Sequence, residues 1–338
     1  MKDPQNIIVR MPNWIGDLIM ATPVLTDLRK AFPKSSITAM CRKPLCDLLR
    51  EDESVNEVFC FAKPANDFVR RQERDIIAKL QAGKYDLGIL LTNSFSSAWW
   101  FWQGKVKRRI GYSAHFRGWL LTDSLKFAKE KEHQVITYKK LLSPLGISLS
   151  NTAPRLYVTE KEVERAKELL YQRGYVRGKK LIGINPGAAY GSAKCWPPER
   201  FRALAMRLLL ETDAYVVFFG DASTASLVKQ ISQGLPEKVI DLAGVTSLRE
   251  LACLIKECDV LVTNDSGPMH IGDAFHTPLV ALFGSTDEEL TGPFSQSKNV
   301  INKHVKCSPC FKRVCPIDFP CMKEIGVEEV VERVLKHV

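Results

Sequence analysis

Three phosphate-handling signatures are missing from this chain, and each absence removes a class of chemistry. No G-x-G-x-x-G follows a strand-like run, no G-x-G occurs at all, and the P-loop pattern G-x-x-x-x-G-K-[ST] is lacking. Nicotinamide dehydrogenases and P-loop NTPases are therefore disfavoured. No D-x-D pair is present to hold a divalent cation on a pyrophosphate, so lysine and helix ends would have to stabilise such a group, and no cofactor is expected for catalysis. No apolar run reaches the ~18 residues that span a bilayer. The polar start at residues 1–6, followed only by Ile7-Ile8-Val9, lacks a signal-peptide core, so a cytoplasmic location is expected. Close repeats and low-complexity segments are lacking as well.

What remains is a globular composition. The 338 residues are 45% hydrophobic and 25% charged, enough for two domains. A net charge of +10 suits a polyanionic partner such as nucleic acid, anionic lipid or a phosphorylated substrate. The basic residues form no long runs and no zinc-finger or RNP-type motif accompanies them, so nucleic acid is not expected. Of ten cysteines, Cys41, Cys46, Cys60, Cys195, Cys253 and Cys258 are scattered among apolar residues and are expected to be reduced, small core hydrophobes.

Strand and helix patterns alternate along the chain. Residues 6–10, 36–40, 55–61 and 87–91 have strand character, and 17–32, 43–50 and 70–83 have helical spacing, the mark of a doubly wound α/β sheet with parallel strands. Around 149–155 the composition turns to Ser, Asn, Thr and Pro, which marks a linker. After a helix at 160–173 the pattern restarts, with strands at 180–185, 215–219, 239–241, 260–263 and 279–283 and helices at 198–210, 225–234, 247–257 and 268–274. Two Rossmann-like domains, 1–152 and 153–325, with a cleft between them are predicted, and the amphipathic helix 326–338 is expected to pack back on the first.

Loops that follow strands and open helices carry the chemistry. Thr263-Asn264-Asp265-Ser266-Gly267-Pro268-Met269-His270 is one, and the run from Pro186-Gly187 to Lys194-Cys195-Trp196-Pro197 is another. Such turns put backbone N–H groups and a positive helix end at the carboxyl edge of a parallel sheet, where phosphate binds. Ser266 and Gly267 can offer a hydroxyl and N–H groups, and Asp265 can accept from a sugar hydroxyl. An Asx-type cap beside a core histidine, His270, is the plainer alternative. Lys194 is either a solvated loop lysine or the cation that neutralises a pyrophosphate beside the small residues after Gly187. Gly220 and Asp221 end another strand and could wall the base pocket. In the first half, Asn13-Trp14-Ile15-Gly16-Asp17 puts an acid at a helix start. Asp17 there serves the helix dipole, or acts as general base toward an acceptor hydroxyl; a carboxylate would repel phosphate, so this turn does not hold the nucleotide.

Two further clusters stand out. Ala98-Trp99-Trp100-Phe101-Trp102, followed by Lys105, Lys107, Arg108 and Arg109, fits either a membrane-interfacial segment or a buried helix ending in a basic turn. Cys307, Cys310, Cys315 and Cys321 are closely spaced and could hold a structural zinc or remain free thiols.

The ordered set NWIGDLIMATPVL from Asn13, NSF from Asn93, PGAAYGSAKCWP from Pro186, FFGD from Phe218, DLAG from Asp241 and TNDSGPMH from Thr263 resembles the ADP-heptose:lipopolysaccharide heptosyltransferases of glycosyltransferase family nine, their type II branch most, over nearly the whole chain. The resemblance implies a GT-B fold of two facing Rossmann-like domains, the acceptor on residues 1–152 and the nucleotide sugar on 153–325. It implies an inverting transfer of heptose from ADP-heptose to the inner core of a Kdo-lipid A-type lipopolysaccharide acceptor. Asp17 falls on the catalytic-base position. Gly187, Lys194, Gly220, Asp265, Ser266, Gly267 and His270 fall on the donor side, and Trp14, Asn93 and Ser94 on the acceptor side. Where members often carry a basic residue or histidine before Trp-Pro, this chain has Cys195, which takes no role. A monomer, peripheral to the inner face of the cytoplasmic membrane, is expected. The alternatives are a nucleotide-sugar 2-epimerase, which would need no acceptor, or a family-nine transferase with another acceptor.

Overall fold

The computed structural model describes residues 3–62 and 69–338, which form two compact units, Met1–Tyr157 and Val158–Val338. The first contains β1 (Asn6–Arg10), α1 (Ile15–Ala31), β2 (Ser36–Arg42), β3 (Glu57–Phe61), α2 (Val69–Ala82), β4 (Leu87–Leu90), α3 (Phe95–Gln103), β5 (Arg108–Tyr112), β6 (Asp123–Leu125) and α4 (Gln134–Lys140). Its strands lie in the order β3-β2-β1-β4-β5-β6, all parallel.

The second unit contains α5 (Glu160–Tyr171), β7 (Leu181–Asn185), α6 (Pro198–Glu211), β8 (Tyr215–Phe218), α7 (Ala225–Ser232), β9 (Val239–Asp241), α8 (Leu248–Glu257), β10 (Val260–Asn264), α9 (Gly267–Phe275), β11 (Leu279–Phe283), α10 (Glu288–Thr291), β12 (Val300–Asn302), α11 (Pro320–Lys323) and α12 (Val327–Val334). Its order is β12-β11-β10-β7-β8-β9, again all parallel. Counted from its own first strand, each sheet runs 3-2-1-4-5-6. The direction of winding therefore reverses between β1 and β4 in one unit and between β7 and β10 in the other, and crevices open at the carboxyl ends of those strands.

Local sequence explains the elements. β4, β7, β10 and β11 are buried along their whole length, because helices cover both faces of a parallel sheet and leave no solvent side for alternation. Gly88 in β4 is required by space: a Cβ there would come within 2.7 Å of the Phe101 ring. Pro23 sits inside α1 and cannot donate to the carbonyl one turn back, and the Thr22 hydroxyl bonds the carbonyl of Ile19 at 2.8 Å in its place. Capping boxes, Thr159 with Glu162 and Ser247 with Glu250, start α5 and α8.

Several expectations need correction. The helix at 43–50 shortens to a 3-10 turn over Leu45–Leu49, the tighter helix commonly used in short connecting pieces. Cys46 in that turn and Cys60 in β3 were expected as separate thiols but are bonded to each other, with Cα atoms 5.8 Å apart; Cys41, Cys253 and Cys258 are buried free thiols. The C-terminal helix, expected to pack back on the first domain, instead buries Val330, Val331 and Val334 in the core of the second unit beside Trp196 and Phe201.

The linker residues are tied to the first unit. Asp27 of α1 accepts from Ser150 Oγ at 2.7 Å and Thr152 Oγ1 at 2.8 Å, and the backbone N–H of Arg155 donates to Thr22 at 3.1 Å. The Asp27 carboxylate also faces the ammonium of Lys139, 3.9 Å away, and both side chains are almost wholly buried. Burial lowers the Lys139 pKa and Asp27 pushes it back up. Removing one member of such a pair strands the other charge. Asp27→Ala is expected to cost about 3 kcal/mol in urea unfolding, and a loss within error of zero would show that Lys139 does not depend on it.

Candidate functional site

In the first unit the crevice lies after β1 and β4, and the named residues of both turns are held from below by buried arginines. Arg10, 3% exposed at the end of β1, donates through Nη2 to Asn13 Oδ1 at 2.7 Å and stacks 4.6 Å from the centre of the Phe61 ring. Trp14, 57% exposed, is the N-cap of α1, and Asp17 stands in that helix's first turn. The Tyr138 hydroxyl on α4 donates to Asp17 Oδ1 at 3.0 Å. Burial, and then the neighbouring Asp17 charge, hold the Tyr138 pKa well above its ordinary value, so Tyr138 keeps its proton and orients the carboxylate.

The turn after β4 is organised by Arg117, which is fully buried. Its guanidinium bonds the carbonyls of Tyr112 at 3.0 Å, Thr92, and Ser94 at 3.2 Å, the Ser97 hydroxyl at 3.3 Å and Asn93 Oδ1 at 3.2 Å. Burial lowers its pKa to about 10, which leaves it protonated at neutral pH. Ser94 caps α3 by accepting from the backbone of Ser97 at 3.4 Å. Thus Trp14, Asp17, Asn93 and Ser94 fall on turns that leave adjacent strands. Nothing in the sequence singled out Tyr138, Arg10 or Arg117. Each acts from a distant segment, and only a charge at a position otherwise apolar could have hinted at the two arginines.

In the second unit the crevice after β7 and β10 brings together the loops of Lys194 and Asp265. Lys194 pairs with Asp265, whose Oδ2 also accepts from the Thr286 hydroxyl at 2.6 Å; both side chains of the pair are largely buried, at 12% and 5% exposure. Asn264 accepts from the backbone of Trp196 at 3.0 Å and donates to the Pro186 carbonyl at 2.7 Å. Asn185 donates to the Gly187 carbonyl at 3.0 Å and to Ser266 Oγ at 3.3 Å, and Ser266 shares a 3.1 Å hydrogen bond with Thr263. Ser266 is the N-cap of α9 but leaves its side chain off the helix N–H groups. Gly267 opens that helix, and His270 lies buried one turn in.

Gly187 and Gly220 meet at a common neighbour. A Cβ on Gly187 would stand 2.7 Å from Thr224 Cγ2, and one on Gly220 2.3 Å from Thr224 Oγ1. Their smallness thus serves the approach of Thr224 to both strand ends. Asp221 caps that turn through Ser223 Oγ at 2.6 Å and the Thr224 N–H at 3.0 Å. Burial alone would raise its pKa, but these bonds outweigh it and hold it below the ordinary value.

The aromatic segment is part buried and part exposed. Ala98 and Phe101 of α3 are buried, and Trp100 donates to Glu73 at 2.7 Å. Arg108 is engaged by Asp123 at 2.8 Å and Arg109 by the Leu120 carbonyl at 2.7 Å, so the basic turn is partly consumed by structure. The outer rings form a cluster: Trp102 lies 5.1 Å from Trp99 and 6.3 Å from Trp119, and Phe95 lies 6.3 Å from Trp119. No helix among the described residues is long and apolar enough to cross a membrane.

Cys307, Cys310, Cys315 and Cys321 do converge, around a cavity of about 50 Å³ that Ala193 and Ser285 also line. Of the two alternatives for these cysteines, the structural zinc is not supported, because among the described residues no three His, Cys, Asp or Glu side chains are arranged to hold a metal ion. Burial first, and then the Cys307, Cys310 and Cys315 sulfurs, raise the Cys321 pKa. Cys315 Sγ instead accepts from the N–H of Phe319 at 3.3 Å.

Residues 74–319 match glycosyltransferase family 9 (heptosyltransferase). A lipooligosaccharide heptosyltransferase 2 of Haemophilus ducreyi is 32% identical over 87% of this chain and 88% of its own, and one from Campylobacter jejuni is 28% identical over 98% of each. The solved structure of Escherichia coli ADP-heptose lipopolysaccharide heptosyltransferase II, 28% identical, superposes with a TM-score of 0.84 over 98% of both chains. With its two Rossmann-like sheets and the family match across most of its length, the chain belongs to glycosyltransferase family 9, the heptosyltransferases.

Proposed function

We propose that this protein transfers a heptose, with inversion, from ADP-heptose to the inner core of lipopolysaccharide, as a heptosyltransferase of type II. The observation that carries the reading is the Lys194–Asp265 pair at the switch point of the second sheet, on two loops whose motifs carry the resemblance to the family and lie within its matched range. Asp17, oriented by Tyr138, takes the proton of the acceptor hydroxyl. The oxygen attacks the anomeric carbon on the face opposite the diphosphate, the carbon–oxygen bond to phosphate breaks, and its electrons leave with ADP. Lys194 and the N-terminal end of α9 meet the charge on the departing diphosphate. Trp14, Asn93 and Ser94 contact the acceptor, and Gly187, Gly220, Ser266, Gly267 and His270 form the donor loops.

Asp17→Ala is expected to abolish turnover while ADP still raises the melting temperature as in the unaltered protein; near-normal turnover would remove Asp17 from the base role. Tyr138→Phe should lower kcat by about tenfold with donor KM little changed. ADP-heptose supplied without acceptor should persist unaltered, since conversion of the nucleotide sugar alone would favour epimerisation. For Lys194→Ala the expectation is a higher donor KM together with a lower kcat, each by about tenfold or more. Unchanged kinetics would move the diphosphate elsewhere.

We also propose that the enzyme works peripherally on the inner face of the cytoplasmic membrane, on a Kdo-lipid A-type acceptor. Phe116 is 96% exposed and Trp119 65%, and such rings favour the headgroup zone. Trp102→Ser combined with Trp119→Ser should reduce co-sedimentation with anionic vesicles several-fold and leave transfer to a detergent-soluble acceptor intact. Equal sedimentation of both proteins would refute the surface.

A further inference from the structure

The Lys194–Asp265 pair leaves the diphosphate site short of positive charge. Lys194 is the cation assigned to the donor, yet its ammonium is already met by a carboxylate that is 5% exposed. A nucleoside diphosphate facing that pair would meet little net positive charge, and a buried ion pair does not itself supply an anion site.

A second cation reaches the same loop from the cysteine-rich segment. The Arg313 guanidinium lies 5.3 Å from the centre of the Tyr190 ring, and the Lys194 ammonium 4.8 Å from the same centre. The two cations are therefore no more than about 10 Å apart. Arg313 is exposed, and among the described residues no carboxylate lies within ion-pair distance of it, whereas Arg108, Arg207 and Arg249 each have one.

The backbone holds Arg313 in place. Its carbonyl accepts from the N–H of Ala193 at 3.0 Å. Gly191 has φ +154°, and a Cβ there would stand 2.2 Å from the Arg313 oxygen, so only glycine allows this approach. Tyr190 donates its hydroxyl to the Phe311 carbonyl at 2.8 Å, and the Phe311 N–H bonds the Ser285 carbonyl at 2.7 Å. Ser285 precedes Thr286, which holds Asp265. Residues 311–313 are thus bonded on one side to the loop that carries Lys194 and on the other to the strand end that fixes its partner.

We propose that Arg313, steered by the Tyr190 ring, is a second cation for the donor's diphosphate, and that the cysteine-rich segment is present to deliver it. This inference rests on the reading of the second unit as the ADP-heptose site. When the diphosphate enters, Asp265 keeps Lys194 in place and Arg313 adds the charge that the pair lacks, through the planar fork that suits phosphate oxygens.

The test uses the full-length protein. Arg313→Ala is expected to raise the KM for ADP-heptose and the dissociation constant for ADP by about tenfold, with kcat lowered by less. Adenosine, which has no phosphate, should bind both proteins equally, and the salt dependence of ADP binding should be shallower in the variant. Arg313→Lys, which keeps the charge and loses the fork, should recover only part of the affinity. An unchanged ADP dissociation constant overturns the proposal, as does an equal loss for ADP and adenosine with a lowered melting temperature, which would mark a structural role. If the unaltered protein binds no ADP at all, the donor-site reading itself fails.

Discussion

The reversal of winding at the middle of each sheet is the constraint on which the rest of the molecule depends. A parallel strand followed by a right-handed crossover can go to either side of its predecessor. Where successive crossovers leave in opposite directions, two loops part and a crevice is left at the carboxyl ends of the central strands. Both sheets have this crevice, after β1 and β4 and after β7 and β10. The turn of Trp14 and Asp17, the turn of Asn93 and Ser94, the loop of Gly187 and Lys194, and the loop of Asp265 to His270 each follow one of these four strands. Gly220 lies after β8, beside β7 in the sheet. The chemistry is therefore distributed by topology before any side chain is chosen.

The two crevices solve opposite electrostatic problems. In the first unit the buried charges near the site are cations, Arg10 and Arg117, both lowered by burial to a pKa of about 10. Arg117 is kept charged by carbonyl and hydroxyl oxygens, which supply many dipoles at fixed positions instead of one counter-charge. Such an arrangement fixes the backbone of the Asn93–Ser94 turn, since moving any one acceptor would strand part of a buried guanidinium. In the second unit the buried charge is a pair, Lys194 with Asp265, and neutrality is local. A pair of that kind orients, but it attracts little, and that is why a cation from outside the pair matters there.

The alternation of apolar runs with helical spacing made both doubly wound sheets legible, because strands covered on both faces must be continuously apolar. Two short edge strands, β6 and β12, escaped the reading with three residues each, whereas the equally short β9 was read at 239–241. The loops of the site could be read from residue types that suit a strand-to-helix turn, but their partners could not. Tyr138 reaches Asp17 across 121 positions of sequence, and Asn264 reaches Trp196 across 68. Spacing left two outcomes open. The cysteines between Cys307 and Cys321 converge without forming a metal-ligand set. The stripe on the last helix announced a buried face but not the surface that buries it, and Trp196 and its neighbours do so.

The Asp17–Tyr138 contact constrains how Asp17 can act in the base role proposed for it. A tyrosine whose proton is held well above the ordinary range donates to the carboxylate at any pH where the enzyme would operate, and it cannot exchange roles with it. Oδ1 of Asp17 carries this hydrogen bond, which fixes the direction in which the carboxylate presents its lone pairs. A hydrogen bond donated to a carboxylate stabilises its charged form and weakens it as a base. It also removes rotational freedom that would have to be lost on reaching the transition state. The arrangement favours orientation over basicity. That choice suits the inverting transfer proposed above, in which positive charge develops on the sugar ring and a well-placed proton acceptor serves the attacking oxygen.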